Sequence, residues 1–343
     1  MSDAARTTRR RPAASSEVAR LAGVSQKTVS RVFNDEPYVS DEIREKVLRA
    51  ARELGYRRNN AARQLNSGRS HRLGVVSLGS ALYGPASMLV GIERAARPLG
   101  YALSVVNTAE GDADGIAGAV EALLEQGVDG IVLSEPIDLG PMRLETDVPV
   151  LTLGRLPGVT APLVITGGGK GDRPARTATE HLLGLGHRTV HHVAGPQRWY
   201  SARERADGWR AALRDAGRTP PEMVEGDWTA ASGYAAGQRL GADPSVTAIF
   251  AGNDDMAIGV IRALTQAGRA VPADVSVIGF DDIPIAAYVN PPLTTIAQSF
   301  DSLAAVALTA LVRGIEHPDE TPPVADAQFG EIVVRESTAP PRR

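Results

Sequence analysis

Several polar side chains in this sequence stand directly after short apolar runs. Asn253 and Asp254 follow Ala-Ile-Phe-Ala-Gly, and Asp281 and Asp282 follow Val-Ile-Gly-Phe. The run Ser201-Ala-Arg-Glu-Arg205 follows Val193-Ala-Gly-Pro, and Asp138 follows Ile131–Pro136. A carboxylate accepts two hydroxyl protons, an amide both donates and accepts, and a guanidinium fork donates to two oxygens. Adjacent hydroxyls of a polyol need that mixture. Trp228, in Glu-Gly-Asp-Trp, adds a flat apolar face for the C–H side of a sugar ring. Asp254 and Asp282 have an alternative role as helix caps.

A second group lies near the start of the chain, in Ser16–Asn34. Val18, Ala19, Leu21 and Ala22 give one short helix an apolar side, with Ser16 as its cap. Gly23 suits the turn after it, where a left-handed backbone costs glycine little. Ser25 caps a second helix whose Val29, Val32 and Phe33 face inward. Its outward side carries Gln26, Lys27, Ser30 and Arg31. That is a helix-turn-helix offering polar and basic groups to a partner. A third helix follows, capped by Ser40, with Ile43, Val47, Ala50, Ala51 and Leu54 as its apolar stripe and Gly55 at its end.

The elements that must position the first group are short apolar strands alternating with helical patterns. The strands expected are Leu73–Leu78, Ala102–Asn107, Gly130–Leu133, Val148–Leu153, Val190–Ala194, Ala248–Ala251 and Ser276–Phe280. Between them fall helices at Met88–Leu99, Ile116–Gln126, Thr177–Leu185, Glu204–Ala216, Gly233–Leu240 and Met256–Ala267. This alternation means parallel sheets with helices on both faces. Ligands of such sheets sit beyond the carboxyl ends of the strands, where the polar residues above stand.

Charge separates the two regions. The net charge of −3 conceals 16 Lys and Arg against 8 Asp and Glu in residues 1–72, a net +8, and 21 against 32 in the rest, a net −11. A basic head on an acidic body is the footprint of a nucleic-acid binder with a separate second function. The sequence has no cysteine, which excludes disulfides and thiolate chemistry. No apolar run is long enough for a membrane span, and no apolar segment follows Arg9–Arg11 to make a secretory signal, so a cytoplasmic protein is expected. The stretch Gly167-Gly-Gly-Lys-Gly-Asp lacks the spacing and the Ser/Thr of a phosphate loop. His187, His191 and His192 lack metal-ligand spacing on one face. No nucleophile elbow and no dinucleotide fingerprint appear. Neither an enzyme nor a bound cofactor or metal is expected.

The motif Ala-Gly-Val-Ser-x-x-Thr-Val-Ser-Arg-Val-x-Asn, ending at Asn34, resembles the headpiece of the LacI/GalR family of bacterial transcription regulators. The resemblance covers nearly the whole chain. Leu293–Gln298 resembles the family's second crossover, and Arg335–Ala339 its C-terminal strand end. It implies a small all-α headpiece on an α/β core of two Rossmann-like subdomains, arranged as in periplasmic sugar-binding proteins. The expected boundaries are a disordered basic tail over 1–14, a headpiece over 15–58, and a hinge helix and linker over 59–72. The core spans 73–340, with an N-subdomain of about 73–165 and 295–322 and a C-subdomain of about 166–293 and 323–340. Crossings between them are expected near Ile165, Thr294 and Pro322.

The same resemblance assigns roles. Gln26, Lys27 and Arg31 are to reach base edges, while Ser25, Thr28, Ser30, Asn34 and Tyr38 position the DNA backbone. Asn59–Asn66 is to order as a hinge helix on DNA, with Asn59 in contact and Leu65 wedged into the minor groove. The implied effector residues are Leu82 and Pro85 at the cleft mouth, Asp138, Arg205, Trp228, Asn253, Asp281 and the apolar wall Phe300. Partners are therefore a pseudo-palindromic operator, a sugar effector and a second copy of the chain. A nucleobase corepressor, or a solute-binding protein without DNA function, is the alternative. The chain departs from the family pattern at Ser15, Arg58, Asp255 and the Gly167–Pro174 loop.

Overall fold

The computed structural model describes residues 13–33, 37–56, 68–109, 112–134, 137, 138, 140, 143–154, 158–167, 172–320 and 330–342. It divides into two compact units, one ending at Ser70 and the other beginning at His71. Asn34, Arg58, Asn59, Leu65 and Pro322 lie outside the described residues.

The first unit contains helices α1 (Ser15–Ala22), α2 (Gln26–Phe33) and α3 (Asp41–Leu54). Val18, Ala19, Val29, Val32, Val47, Ala50 and Ala51 close over a single core. Gly23 and Gly55 end α1 and α3 in left-handed conformations, φ 68° and 61°. Ser25 accepts the Thr28 amide at 3.1 Å, the expected cap of α2. At α1 the expectation fails. The helix begins at Ser15, so Ser16 falls inside its first turn and Ala14 stands at the cap position. Alanine has no acceptor, and Glu17 compensates by reaching back to the Ala14 N–H at 2.7 Å. Leu21 is also not in the core but 47% exposed, because it lies at the edge of the Val18–Ala19–Ala22 stripe.

The second unit opens with β1 (Arg72–Leu78), α4 (Tyr83–Ala96), β2 (Ala102–Thr108), α5 (Ala113–Glu125) and β3 (Gly130–Ser134). The two-residue β4 (Leu144–Glu145), β5 (Val150–Leu153), the short β6 (Val159–Thr160) and β7 (Val164–Gly167) follow. Five of these strands form a parallel sheet in the order β2-β1-β3-β5-β7, while β4 pairs with β6. Then come α6 (Asp172–Gly184), β8 (His191–Ala194), α7 (Tyr200–Asp215), β9 (Val224–Glu225), α8 (Ala230–Gly241), β10 (Ala248–Ala251), α9 (Asp254–Gln266) and β11 (Ser276–Ile278). Their strands make a second parallel sheet, β11-β10-β8-β9. The chain ends with β12 (Thr295–Ala297), α10 (Phe300–Glu316) and β13 (Glu331–Val333), β12 and β13 pairing antiparallel.

Each sheet is covered on both faces, which is why its strands read as nearly unbroken apolar runs. On the first sheet, Met88 and Ile92 of α4 and Leu308 and Leu311 of α10 pack with Val75 and Val132, and Ile116 and Leu123 of α5 pack on the other side with Val76 and Leu133. On the second, Trp209 of α7 and Leu182 of α6 meet Phe250, and Val260 and Leu264 of α9 meet Ile249 and Val277. Two α/β layers in one unit are the doubly wound architecture the strand–helix alternation implied. The details differ at the crossings. Ile165 lies within β7, so the first sheet continues to Gly167, two residues past the expected boundary. Thr295–Ala297 stays in the crossover ladder with β13. Of the family's C-terminal strand end, Arg335–Ala339 runs beside β11 without forming a strand, Val277 donating to the Ser337 carbonyl at 2.8 Å.

Candidate functional site

A cleft of about 320 Å³ opens in the second unit. Leu82, Tyr83, Gly84 and Pro85, at the start of α4, line one side. Trp199, Ser201, Arg205, Trp228, Asn253 and Asp281 line the other. The fold thus brings together six residues singled out in the sequence: Leu82, Pro85, Arg205, Trp228, Asn253 and Asp281.

Arg205 sits in the second turn of α7 and is 7% exposed. One guanidinium nitrogen donates to the Gly252 carbonyl, and another donates to Asp281 Oδ1 at 3.3 Å. Its face lies 3.8 Å from the Phe280 ring centre and 5.3 Å from that of Trp228. These contacts fix the fork without exhausting its five donors. Burial pulls the guanidinium below its ordinary value, and the Asp281 carboxylate opposes that pull.

Asp281 follows β11 in the left-handed half of backbone space, φ 114°. Its N–H donates to the Ile296 carbonyl at 2.8 Å, and Gln298 Nε2 donates to its Oδ1 at 2.5 Å. The crossover segment therefore seats this carboxylate. Burial pushes its pKa up to about 6, against Arg205 and Gln298, which favour the charged form.

Asn253 caps α9. Its Oδ1 accepts the Met256 amide at 2.9 Å and its Nδ2 donates to the Trp228 carbonyl at 2.9 Å. The amide holds the Trp228 loop in place and retains limited capacity for a ligand. Trp228 has φ 73° and stands edge-on to Trp199, ring centres 5.7 Å apart. Its indole Nε1 is buried with no acceptor. Asp254 is wholly buried below the cleft, accepting Thr295 Oγ1 at 2.5 Å and the Ile283 amide at 2.9 Å. Burial, with Asp281 nearby, pushes its carboxyl up to about 8. It does not cap α9, where Asn253 holds the cap position; it ties the turn carrying Asp281 to the crossover strand. Asp282 accepts Arg335 at 2.7 Å.

Two expected residues do not line the cleft. Asp138 pairs with Arg203 at 3.0 Å, and the Gly140 amide and Arg203 together hold its carboxyl below the usual range. Phe300, the first residue of α10, stands edge-on behind Tyr83 with ring centres 6.1 Å apart. Trp199 was not singled out by sequence reasoning; Tyr83 entered only as part of the Leu82–Pro85 loop, and Gln298 only as part of the crossover motif. The signal for Trp199 was its place just before the polar Ser201–Arg205 run. His192 is buried within β8, stacked on Phe250 of β10 and donating to its carbonyl at 2.9 Å. Burial pulls it down to about 4, so it stays neutral. Among the described residues no cluster of ligating side chains suits a metal.

In the first unit, Gln26, Lys27, Ser30 and Arg31 lie exposed on α2, and Tyr38 is 90% exposed. The Ser25 and Thr28 hydroxyls bond each other at 2.9 Å.

Comparison with known proteins gives matches over both units. Residues 16–59 match the model described as bacterial regulatory proteins, lacI family, and residues 179–338 match a periplasmic binding protein-like domain. The chain is 36% identical over 315 residues to the ribose operon repressor of Escherichia coli (strain K12), covering 88% of this chain and 93% of that one. It is 36% identical over 302 residues to the lactose operon repressor of the same strain, covering 87% and 83%. A crystal structure of the lac repressor dimer bound to operator and the anti-inducer ONPF superposes with a TM-score of 0.75, at 32% identity, covering 96% of this chain and all of that one.

Proposed function

The chain belongs to the lacI family of bacterial regulatory proteins and is a DNA-binding transcriptional repressor of that family; from this premise we propose that its effector is a small neutral sugar held between Arg205, Asp281 and Trp228. The observation that carries the proposal is the buried Arg205–Asp281 pair beside the Trp228 ring. The pair offers a donor fork and an acceptor to neighbouring hydroxyls, while the indole covers the apolar side of a ring. Its charges cancel, and Asp254, raised to about 8, adds no negative charge at neutral pH. A phosphate or carboxylate ligand would need a surplus of positive charge that this cleft does not offer.

The proposed coupling runs through the hinge segment Asn59–Asn66. On this proposal the segment acts as a hinge helix held by DNA and a second copy of the chain. A sugar that alters the angle between the two α/β layers disfavours that ordering and releases the operator, and DNA weakens sugar binding by the same factor. The lac repressor structures that the chain resembles are dimers, which supports a homodimer. The cleft binds without turnover, and the protein works in the cytoplasm. Among the described residues no helix is long and apolar enough to cross a membrane.

The test is a thermal-shift panel of D-ribose, D-galactose, lactose and purine bases, followed by release of an operator selected from random DNA. A monosaccharide that raises the melting temperature and frees the operator supports the proposal. A purine base that strengthens operator binding overturns it in favour of a corepressor, and chemical conversion of a bound sugar overturns the non-enzymatic reading.

A further inference from the structure

The C-terminal segment reaches the turn that carries Asp281 through the side chain of Arg335. Arg335 Nη2 donates to Asp282 Oδ1 at 2.7 Å, and its Nη1 donates to the Leu293 carbonyl at 2.8 Å. Its own N–H donates to Thr294 Oγ1 at 2.9 Å. The guanidinium is about one-fifth exposed, and the carboxylate about one-quarter. Arg335 therefore spans the crossover segment and the turn that follows β11. Asp282 has φ 55°, a conformation that costs an L-residue free energy and that glycine adopts freely. It comes directly after Asp281, itself at φ 114°, so the two residues turn the chain together.

We propose that Arg335 is a positioning residue: by gripping Asp282 in its left-handed conformation, it aims the neighbouring Asp281 carboxylate at Arg205 and into the cleft. It touches no ligand itself. The crossover strand seats Asp281 from one side through Ile296 and Gln298. Arg335 holds the same turn from the other side through Asp282. Without that grip, Asp282 relaxes to negative φ and the Asp281 carboxylate leaves its buried seat. The C-terminal segment thus completes the site, although it contributes no residue to the cleft lining. The proposal rests on the effector reading of the cleft, but its first test needs no effector.

That test follows the Asp281 carboxyl carbon by NMR during a pH titration of the full chain labelled at aspartate carboxyls, with Asp281→Asn to assign the signal. Asp281 faces Arg205 from α7, Asp254 and Asp255 from the first turn of α9, and Gln298 from the crossover, with Asp282 beside it. In the wild-type protein burial raises its pKa to about 6, so the midpoint is expected there. In Arg335→Met the midpoint is expected to fall toward the ordinary carboxylate value of ~4. Arg335→Met/Asp282→Gly restores it, because glycine takes up the left-handed conformation unaided. A second pair keeps Arg335 in place: Asp282→Ala shifts the midpoint and Asp282→Gly does not. The affinity for D-ribose, read by tryptophan fluorescence, follows the same order, with about a tenfold loss in Arg335→Met, the size expected for a hydrogen bond to a charged group. An unshifted midpoint in Arg335→Met and Asp282→Ala overturns the positioning role, and so does failure of Asp282→Gly to restore it. Absence of D-ribose binding in the wild-type protein, with the titrations as expected, counts against the sugar and leaves the positioning role standing.

Discussion

Arg205 and Asp281 face each other at 3.3 Å with side chains only 9% and 8% exposed. The pair is held from several directions before any ligand arrives. Gly252 and Phe280 fix the guanidinium, and Gln298 and the Ile296 carbonyl fix the aspartate. A ligand that meets such a pair does not have to order it, which saves part of the cost of binding. Removing one partner strands the other charge in a poorly solvated place.

Arg205→Ala is therefore expected to abolish sugar-dependent release while leaving operator affinity roughly intact. It should also destabilise the second unit by on the order of 3 kcal/mol near pH 7.5. The penalty should shrink toward pH 5, where the stranded Asp281 takes up a proton. Arg205→Ala/Asp281→Ala should lose less than the sum of the single changes. Urea unfolding at the two pH values checks the stability, and operator titration with and without the sugar checks the function.

Asp254 predicts the pH dependence of stability. Its folded pKa of about 8 lies above the unfolded value of ~3.9. The folded state therefore holds the proton more tightly. That contribution is fully present below the unfolded value and is lost as pH rises through about 8. Asp254→Asn keeps the acceptor for the Ile283 amide and cannot ionise. Between pH 5 and pH 8 its melting temperature should decline less than that of the wild-type protein. An identical decline in both would show that Asp254 does not carry the effect.

The fold was legible where burial imposes a pattern. The runs Leu73–Leu78 and Ala248–Ala251 are buried on both faces, so they read as strands without any partner in view. Asn253, Asp281 and Arg205 were legible because each stands at the carboxyl side of such a run. What the sequence hid depends on contacts distant along the chain. Trp199 lines the cleft because it stands edge-on to Trp228, 29 positions later. Asp138 lies beyond a strand end like the others, but the Arg203 ion pair draws its carboxylate aside. The Ser16 cap failed for a local reason: Glu17 reaches back to the Ala14 amide, so the helix starts with its cap position two residues earlier.

Gly195 gives a test that leaves every polar group of the cleft in place. A Cβ there would fall 2.2 Å from the Trp228 ring, far inside contact distance. Gly195→Ala should push the indole out of its seat against Trp199 and break its contact with Arg205. Sugar affinity should fall at least about tenfold with operator affinity kept. Near-ultraviolet circular dichroism should report the displaced indole. An unaltered spectrum with unaltered sugar binding would remove Trp228 from the site.

Leu65 tests the hinge proposed from the sequence. A side chain wedged between base steps works only on a site the duplex can kink. Leu65→Ala should weaken binding to the selected operator far more than binding to random DNA. Equal losses would make the segment a plain linker.

The proposed division of the exposed face of α2 into base readers and backbone holders can be tested with salt. Gln26 can pair in bidentate fashion with adenine N6 and N7, a contact worth ~1–3 kcal/mol of discrimination. Gln26→Ala should therefore weaken the selected operator, relax selectivity at one base pair, and leave the salt dependence of binding unchanged. A lysine on a phosphate instead releases a counterion, which lowers the slope of log affinity against log salt by about one when the charge is removed. Lys27 is assigned to a base edge, so Lys27→Met should alter selectivity more than that slope. If Lys27→Met lowers the slope and weakens all sequences equally, Lys27 holds the backbone, and reading falls to Gln26 and Arg31. Operator titrations at three salt concentrations, against the selected site and single-base variants of it, decide between these outcomes.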